Sequence, residues 1–479
     1  MICLTSFSNK FFSLLLALCI STLAGCSGLN VARLQVPKLT PTKVSPQAAQ
    51  SGEIFWQVDV SGGAAPLTYE FRLLAEHELT VVKRSGEAQW TWQPHNPGAY
   101  QISVKVEDAK GVSTVSDWQD YRINPAIKRD SLIAFLPLEN LSGVKAPVQQ
   151  LGADYAEKLK TAGFQLLDEE LLKNFMYRHR MRYTGGIGSK IATAFRQEEG
   201  VDAVIITSLE SYEEGSPPKI ALMSRLVLCH DLPKIAWMDG VGISGADNPG
   251  LLSLGRIDRM DILQKKALNV LRFSLEDYLS GNRNNHKKQP EEIKPRDYFL
   301  ASDFNTDAPY KIAVVPFLNV YARRNAGFVA PLHLISILNQ HENLDVVEPG
   351  LVREQLLKYR LIMQAGPSLA ISDVLAHESS LKADLILSGY MFDYQDQSGT
   401  PKIDFSTRLF SGPERKIVWW SRSYAAGDDG VYFFDIGRYQ SAYTMMEEMS
   451  RAIGNLLFPG KTIRQPLPTE FKPSEINQH

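Results

Sequence analysis

Apolar and polar residues alternate in several short runs within residues 46–125, and this pattern predicts β-structure. In Tyr100–Glu107, every second side chain is apolar, which places the apolar side chains on one face of a strand. Shorter alternating runs are separated by turn signals such as Ser61-Gly62-Gly63. Repeated short strands with turns over about 80 residues predict a β-sandwich across residues 46–126.

From residue 127 onward, short apolar runs alternate with stretches of helical periodicity, and this order occurs twice. Six blocks recur at a spacing of about 180 residues, a register that chance would not keep. The matching blocks are Ile133–Asn140 with Ile312–Asn319, Phe164–Asp168 with Leu344–Glu348, Asp202–Ile205 with Asp384–Leu387, Pro218–Ile220 with Pro401–Ile403, Arg225–Leu226 with Arg408–Leu409, and Lys234–Trp237 with Lys416–Trp419. The sequence therefore predicts two copies of one domain, over 127–280 and 308–460.

Each copy opens with a strand, a helix and a second strand, and later carries a hairpin and a closing helix. The opening predicts a parallel pair with a right-handed crossover, whereas the hairpin is antiparallel. The predicted fold class is thus multidomain: an N-terminal all-β sandwich followed by two repeated α/β domains with mixed sheets. Proline-rich and polar composition predicts linkers at 26–45 and 281–307 and a frayed tail at 461–479.

The first 25 residues have the order of a secretory signal, with Lys10, an apolar run and then small residues. The apolar stretch is about 15 residues, and a membrane-spanning helix needs roughly 20. Leu23-Ala24-Gly25-Cys26 resembles the lipobox of bacterial lipoproteins. The resemblance implies cleavage between Gly25 and Cys26, with acyl chains such as palmitate on Cys26. The alternative is an ordinary signal peptide with a chance cysteine.

This resemblance also carries an expectation about location. In enteric lipoproteins, Asp after the lipidated cysteine favours the inner membrane, and here the residue is Ser27. The implied location is the outer membrane, facing the periplasm. Acyl chains contribute about 0.8 kcal/mol per buried CH₂, so several chains would hold a soluble domain at the membrane.

Two further resemblances concern the domains. Trp92–Gly111 resembles the closing strands of polycystic-kidney-disease-type and triple-tyrosine-type modules, which are immunoglobulin-like. The openings Ile133–Asn140 and Ile312–Asn319 resemble an envelope fold shared by curli-secretion lipoproteins, the N-terminal domain of the Tol-system propeller protein, and lipoprotein activators of penicillin-binding proteins. These resemblances imply partner binding or assembly rather than catalysis.

Charge and cysteine content narrow the class of protein. With 51 basic and 53 acidic residues, the chain lacks the basic surface that nucleic-acid binding needs. Of the four cysteines, Cys3 and Cys19 leave with the predicted signal peptide and Cys26 takes lipid. Cys229 remains, without a disulfide partner, and its apolar surroundings predict a buried side chain.

The sequence carries no recognised catalytic or metal motif, so we expect no catalytic residue, cofactor or metal. Gly185-Gly186-Ile187-Gly188 follows no clear strand, and a turn between helices is the better interpretation than a nucleotide loop. His341 and His377 each precede a Glu but lack a second His at helical spacing, so we expect solvated side chains.

Four residues are candidates for partner or ligand binding. Asn140 and Asn319 follow the first strands, where open α/β sheets place ligands, or each fixes its own loop. Trp419 and Trp420, with nearby Val431–Phe434, could form an aromatic partner surface. One of two adjacent tryptophans in a strand should nevertheless face the core.

These observations favour a non-enzymatic envelope lipoprotein that binds, recruits or scaffolds an envelope protein or polysaccharide, with self-association left open. One alternative is an envelope hydrolase with an unrecognised site between the repeats. Another is a secretion-pore or secretion-accessory subunit. Curli-type pores need extra amphipathic hairpins, however, and Lys219–Ile243 and Lys402–Tyr424 are already required for the core sheets.

Overall fold

The computed structural model describes residues 35–36, 38–43, 54–75, 78–92, 94, 97–247, 256–281, 292–321, 323–341, 343–396, 400–429, 438–459 and 461–462. The predicted signal peptide, Cys26 and Val431–Phe434 lie outside these residues. The described part is multidomain and consists mainly of β-sheets, two of them mixed, with helices packed on them.

The N-terminal module has two antiparallel sheets. Strands β1 (Lys38–Lys43), β2 (Ile54–Asp59) and β5 (Gln89–Trp92) form the first. The second contains β3 (Thr68–Ala75), β4 (Glu78–Ser85), β6 (Gly98–Glu107), β7 (Ser113–Val115) and β8 (Gln119–Ile123). Burial alternates along β2 and β3, and their inward side chains share a core with Trp92, Tyr100 and Val104. The alternation predicted for Tyr100–Glu107 is confirmed, because its apolar face is buried.

The first repeat has one five-strand path, in the order β11-β9-β12-β13-β14. Its strands are β9 (Leu132–Phe135), β10 (Glu139–Asn140), β11 (Gln165–Leu166), β12 (Ala203–Glu213), β13 (Lys219–Leu228) and β14 (Lys234–Ser244). Its helices are α1 (Val148–Thr161), α2 (Glu169–Arg178), α3 (Ser189–Glu199) and α4 (Met260–Ser280). β9 is parallel to both β11 and β12, whereas β12, β13 and β14 are antiparallel.

The second repeat has the same order, β18-β16-β19-β20-β21, with β15 added at the outer edge. Its strands are β15 (Asp297–Leu300), β16 (Tyr310–Val314), β17 (Leu318–Asn319), β18 (Leu344–Val346), β19 (Leu385–Gln395), β20 (Lys402–Ser411) and β21 (Lys416–Ala426). Its helices are α5 (Ala326–Leu338), α6 (Pro349–Lys358), α7 (Leu369–Asp373), which continues as a π-helical turn at Val374–Glu378, and α8 (Ala442–Leu457). Both central sheets are mixed, as the sequence predicts, and they share one strand order.

Three short strands lie where the composition predicted linkers and a tail. β1 falls in the predicted linker 26–45 and pairs with β2; Pro41 is tolerated there because β1 is an edge strand. β15 falls in the predicted linker 281–307 and covers the edge of β21. β22 (Lys461–Thr462) falls in the predicted tail and pairs with β4. Each strand depends on a partner edge that composition alone does not reveal.

The two repeats share one apolar core. α1 and α4 cover one face of the first sheet, where they pack around Ile205 and Leu226. On the opposite face, Phe195 and Met223 of the first repeat belong to the same buried cluster as Tyr443 of the second repeat. The second repeat therefore packs directly on the face of the first sheet that α1 and α4 do not cover.

Candidate functional site

A buried ion pair joins the two repeats. Arg225 lies on β13, and Glu348 is the N-cap residue of α6. Arg225 Nε donates to Glu348 Oε2 over 3.0 Å, and Arg225 Nη2 donates to Glu348 Oε1 over 3.1 Å. The side chains are only 1% and 0% exposed. This two-point geometry is the strong form of a charge-assisted hydrogen bond, and burial makes each charge dependent on the other.

Two atoms of this pair make further hydrogen bonds. Arg225 Nη2 donates to the Gly185 carbonyl over 2.7 Å. Glu348 Oε1 accepts from the N–H of Gly350, at the start of α6, over 3.3 Å. It also accepts from the N–H of Ile187 over 3.4 Å. One carboxylate therefore caps a helix of the second repeat and holds a loop of the first.

The glycine run 185–188 is the loop between α2 and α3, which confirms a turn between helices. A Cβ on Gly186 would lie 2.7 Å from the backbone nitrogen of Gly350, and a Cβ on Gly350 would lie 2.2 Å from that of Ile187. Both distances are shorter than real Cβ contacts, so the close approach of two backbones requires glycine here. Ser189 N–H completes the contact by donating to Glu354 Oε2 over 2.8 Å.

Glu139, at β10, lies beside the ion pair. Ser208 Oγ donates to Glu139 Oε2 over 2.9 Å. Burial raises the pKa of the Glu139 carboxyl, against the opposing effects of Ser208 and Arg225. Arg353 of the second repeat stacks over the ring of Tyr183 at 4.3 Å and adds a second cation near this carboxylate.

A second polar contact lies at the other end of the interface. Glu210 Oε2 is 2.9 Å from His333 Nε2, and their side chains are 0% and 1% exposed. Lys219 Nζ donates to the Asp396 carbonyl over 3.0 Å. Tyr443 packs so closely on Gly240 that a Cβ there would lie 2.1 Å from its hydroxyl oxygen. We use "inter-repeat interface" for this surface, from Arg225 and Glu348 to Glu210 and His333.

The two predicted asparagines make matching local contacts. Asn140 Nδ2 donates to the Val144 carbonyl over 2.8 Å, and Asn319 Nδ2 donates to the Arg323 carbonyl over 2.7 Å. Each amide therefore fixes its own loop. The two loops meet where Asn325 Nδ2 donates to the Asn140 carbonyl over 3.1 Å. A direct contact of either amide with a partner stays a prediction.

The side chains of the two adjacent tryptophans lie on opposite faces of their strand, as successive residues of a strand must. Trp419 is fully buried, and its indole N–H donates to Thr407 Oγ1 over 2.8 Å. Its ring serves the core and is not part of a partner surface, contrary to the candidate role. Trp420 is half-buried opposite Phe299 of β15 and remains available as a surface residue.

Other candidate groups have structural environments. Cys229 is buried, and burial raises the pKa of its thiol to about 12, which disfavours a nucleophile. His341 is half-buried beside Phe458, and burial lowers its pKa to about 4, so its side chain is less solvated than expected. Within the described ranges, no three His, Cys, Asp or Glu side chains are grouped as metal ligands. No helix in the described part of the chain has the length and apolar character needed to cross a membrane.

The residues that carry this interface do not stand out in the sequence. In the sequence, Arg225 is one of two residues in a repeated block, and Glu348 is the last residue of another. A usable signal existed in the acidic residue that both repeats place after their second strand, Asp168 and Glu348. Its burial in one repeat depends on a contact 123 residues away along the chain, which no local pattern reports.

No protein-family model matches the chain, and no curated protein matches it. Solved structures similar to parts of it include a PelC dodecamer from Paraburkholderia phytofirmans, at 13% identity over 34% of this chain and 96% of that chain, with a TM-score of 0.23. The LpoB C-terminal domain from Salmonella enterica matches at 15% identity over 25% of this chain and 87% of that chain, with a TM-score of 0.22. Lipoprotein GNA1162 from Neisseria meningitidis matches at 20% identity over 30% of this chain and 99% of that chain, with a TM-score of 0.23. Scores this low do not bear on what this chain does.

Proposed function

We propose that this chain is a non-enzymatic scaffold of the bacterial envelope, held to a membrane by lipids on Cys26. The observation that carries the proposal is the inter-repeat interface. Its buried ion pair and glycine contacts hold two copies of one domain together as a single body. A rigid body of two repeats offers partners a fixed arrangement of surfaces, which is what a scaffold requires.

The polar side chains between the repeats support a structural role over a catalytic one. Glu348 is neutralised by Arg225, and Glu210 is hydrogen-bonded to His333, in both cases with side chains at most 1% exposed. A hydrolase site would need such groups to meet in a cleft that substrate can enter. Among the described residues these polar groups are buried against one another, so nothing here favours the hydrolase alternative.

The secretion-pore alternative also lacks support. The hairpins of β13 with β14 and of β20 with β21 are paired in full within the two central sheets. A pore built from amphipathic hairpins would need strands beyond those that form the domain cores.

The N-terminal module fits a spacer between the proposed anchor and the repeats. Its immunoglobulin-like character is part of this proposal and rests on the sequence resemblance. The module meets the first repeat where Ala126 N–H donates to the Tyr278 hydroxyl over 3.4 Å, at the end of α4. The partner is an envelope protein or polysaccharide that the repeats bind on the periplasmic side of the outer membrane.

Crosslinking in intact cells followed by mass spectrometry tests this function. The proposal predicts recurrent crosslinks from exposed lysines of the repeats to the same envelope component in replicate cultures. A Cys26→Ala chain, which keeps every described residue, is the matched control and should lose these crosslinks. Recovery of no envelope component by the wild-type chain would contradict the scaffold role.

A further inference from the structure

The second repeat covers one surface of the first repeat. The equivalent surface of the second repeat is itself exposed. Four positions of the first repeat lie at the inter-repeat interface, and each has an equivalent in the second repeat. The pairs are Glu139 with Leu318, Leu141 with Val320, Tyr183 with Met363, and Arg225 with Arg408. We call Leu318, Val320, Met363 and Arg408 the open face.

The backbone supports these equivalences. Leu141 N–H donates to the Leu209 carbonyl and Val320 N–H donates to the Met391 carbonyl, in the same place beside the third strand. Arg225 pairs with Ile206 across its strand, and Arg408 pairs with Ser388 across the matching strand.

The loop after the second helix also matches in the two repeats. It begins at a residue with positive φ in each copy, Arg180 at 51° and Arg360 at 59°. Counting three residues on from each gives Tyr183 and Met363. Both residues therefore occupy the same position counted from the start of the loop, although the second repeat has a turn at Ile362–Met363.

Exposure differs sharply between the two sets. Leu141 is 3% exposed and Arg225 is 1% exposed, because the second repeat covers them. Val320 is 56% exposed and Met363 is 93% exposed. Among the described side chains, no carboxylate forms an ion pair with Arg408, which lies half-buried near the ring of Tyr390. The open face thus combines exposed apolar side chains with a cation in the position of Arg225.

The internal interface shows what kind of element covers such a face. On the first repeat, the cover is the N-terminus of α6, whose N-cap carboxylate, Glu348, pairs with Arg225. The chain contains one more copy of that element, α2, whose N-cap is Asp168. Asp168 accepts from the N–H groups of Glu170 and Leu171, so it caps its helix as Glu348 does.

This second element is free to meet a partner. Asp168, Glu169 and Glu170 are exposed, and Leu171 beside them is 48% exposed. An acidic helix start with an apolar neighbour is complementary to an apolar face whose arginine has no described carboxylate partner.

We propose that a second copy of this chain docks on the open face, with its α2 N-terminus directed at the sheet and its Asp168 facing Arg408. The contact resembles the one that joins the two repeats within one molecule, because an N-cap carboxylate meets an arginine of the sheet in both. Glu170 stands where α6 has Gly350, so α2 cannot approach the loop as closely as α6 does. The contact is heterologous, since one copy contributes the face and the other the helix, so it closes into a ring or extends as a filament. The inference stands on these contacts and does not depend on the envelope role.

Paired cysteines test the proposed contact. Within the chain, Arg353 of α6 stacks on Tyr183. Lys173 holds the position of Arg353 on α2, so Met363 of one copy should oppose Lys173 of the next. Both side chains are exposed, and their substitution by cysteine should leave the fold intact. The purified full chain in detergent is oxidised as Met363→Cys, as Lys173→Cys, and as the double variant.

The proposal predicts a ladder of disulfide-linked multimers for the double variant and none for either single variant. Mixing the two single variants should give a linked dimer and nothing larger. The matched control combines Met363→Cys with Tyr177→Cys; Tyr177 is 87% exposed on the same helix, and its counterpart Leu357 lies outside the inter-repeat interface at 50% exposure. This control should not form a ladder.

Three results would overturn the proposal. Linked dimers of Met363→Cys alone would show that two open faces meet each other. An equal ladder from the Tyr177 control would show random collision. Absence of linked species in every variant would show that the open face takes no second copy.

A charge variant gives an independent reading. Arg408→Glu should weaken self-association by roughly tenfold or more in sedimentation experiments, because a carboxylate then faces the acidic helix start. Asp168→Asn removes the charge while keeping a good N-cap residue, and should weaken association in the same direction. Unchanged sedimentation of both variants relative to an associating wild type would place the contact elsewhere.

Discussion

Replacement of Arg225 by Met removes the only cation bonded to Glu348 among the described residues. The carboxylate is then left with a side chain that is 0% exposed, so it must keep an uncompensated charge or take up a proton. Breaking a buried ion pair on one side costs about 3–5 kcal/mol. The Gly185 carbonyl also loses its bond to Nη2, which contributes about 1 kcal/mol. We therefore expect Arg225→Met to lower the stability of the joined repeats by about 4–6 kcal/mol.

Two further variants make this prediction specific. Arg408→Met changes the equivalent residue of the second repeat, which is half-exposed and has no described carboxylate partner, so its effect should stay within about 1 kcal/mol. In the double variant Arg225→Met with Glu348→Gln, the amide oxygen still caps α6 but the unpaired charge is gone. This second change should restore about 1–3 kcal/mol of the loss.

The assay is urea unfolding of the full chain, monitored by site-resolved hydrogen exchange. Site-resolved exchange is needed because a multidomain chain does not unfold in one step, and a single bulk midpoint would mix its domains. Amides of β13 and of the first turn of α6 should lose protection together in Arg225→Met. Equal effects of Arg225→Met and Arg408→Met, each measured as a monomer, would refute the assigned role of the buried pair.

The remaining predictions concern close packing and pH. Gly186→Ala would place a Cβ 2.7 Å from the Gly350 nitrogen and should lower the melting temperature by several degrees, from about 1–3 kcal/mol of overpacking. Gly215→Ala, whose Cβ would meet only a side chain at 3.4 Å, is the control with little expected change. Burial raises the pKa of Glu139, so wild-type stability should fall as pH rises from about 4.5 through the raised value, and Glu139→Gln should remove that dependence in melting curves measured across pH. Burial lowers the pKa of His341 to about 4, so the folded state should lose stability as pH falls from 6.5 to about 4, and a His341→Leu chain that showed the same loss would contradict this assignment.

Much of the fold could be predicted because its signals are local or repeated. The alternation in Tyr100–Glu107 reports a strand buried on one face. The six recurring blocks report the strands and turns that each α/β copy must contain. Such patterns survive in sequence because every copy has to form the same sheet around its own core.

The short edge strands could not be predicted from the same signals. β1 contains Pro41, and β15 has only four residues, so neither has a strand pattern of its own. Each forms because a neighbouring edge offers hydrogen-bond partners. That edge exists only after the rest of the sheet has folded.

The inter-repeat interface is a tertiary feature for the same reason. Gly185–Gly188 could be interpreted as a turn, but the need for glycine at Gly186 comes from the backbone of Gly350. Arg225 and Arg408 look alike in sequence, yet one is buried against a carboxylate and the other is half-exposed. The sequence shows that these positions are equivalent, and only the packing of the repeats shows that they differ in role.

The central claim is that the two joined repeats work from a membrane surface to which Cys26 is attached. Mass spectrometry of the N-terminal peptide, with membrane fractionation of wild-type and Cys26→Ala chains, tests that claim most directly. The account predicts that the mature chain begins at an acylated Cys26 and lies in the membrane fraction, whereas Cys26→Ala is released with its domains folded. An unmodified Cys26 in a chain that still begins at Met1, or a Cys26→Ala chain that stays in the membrane fraction, would contradict it.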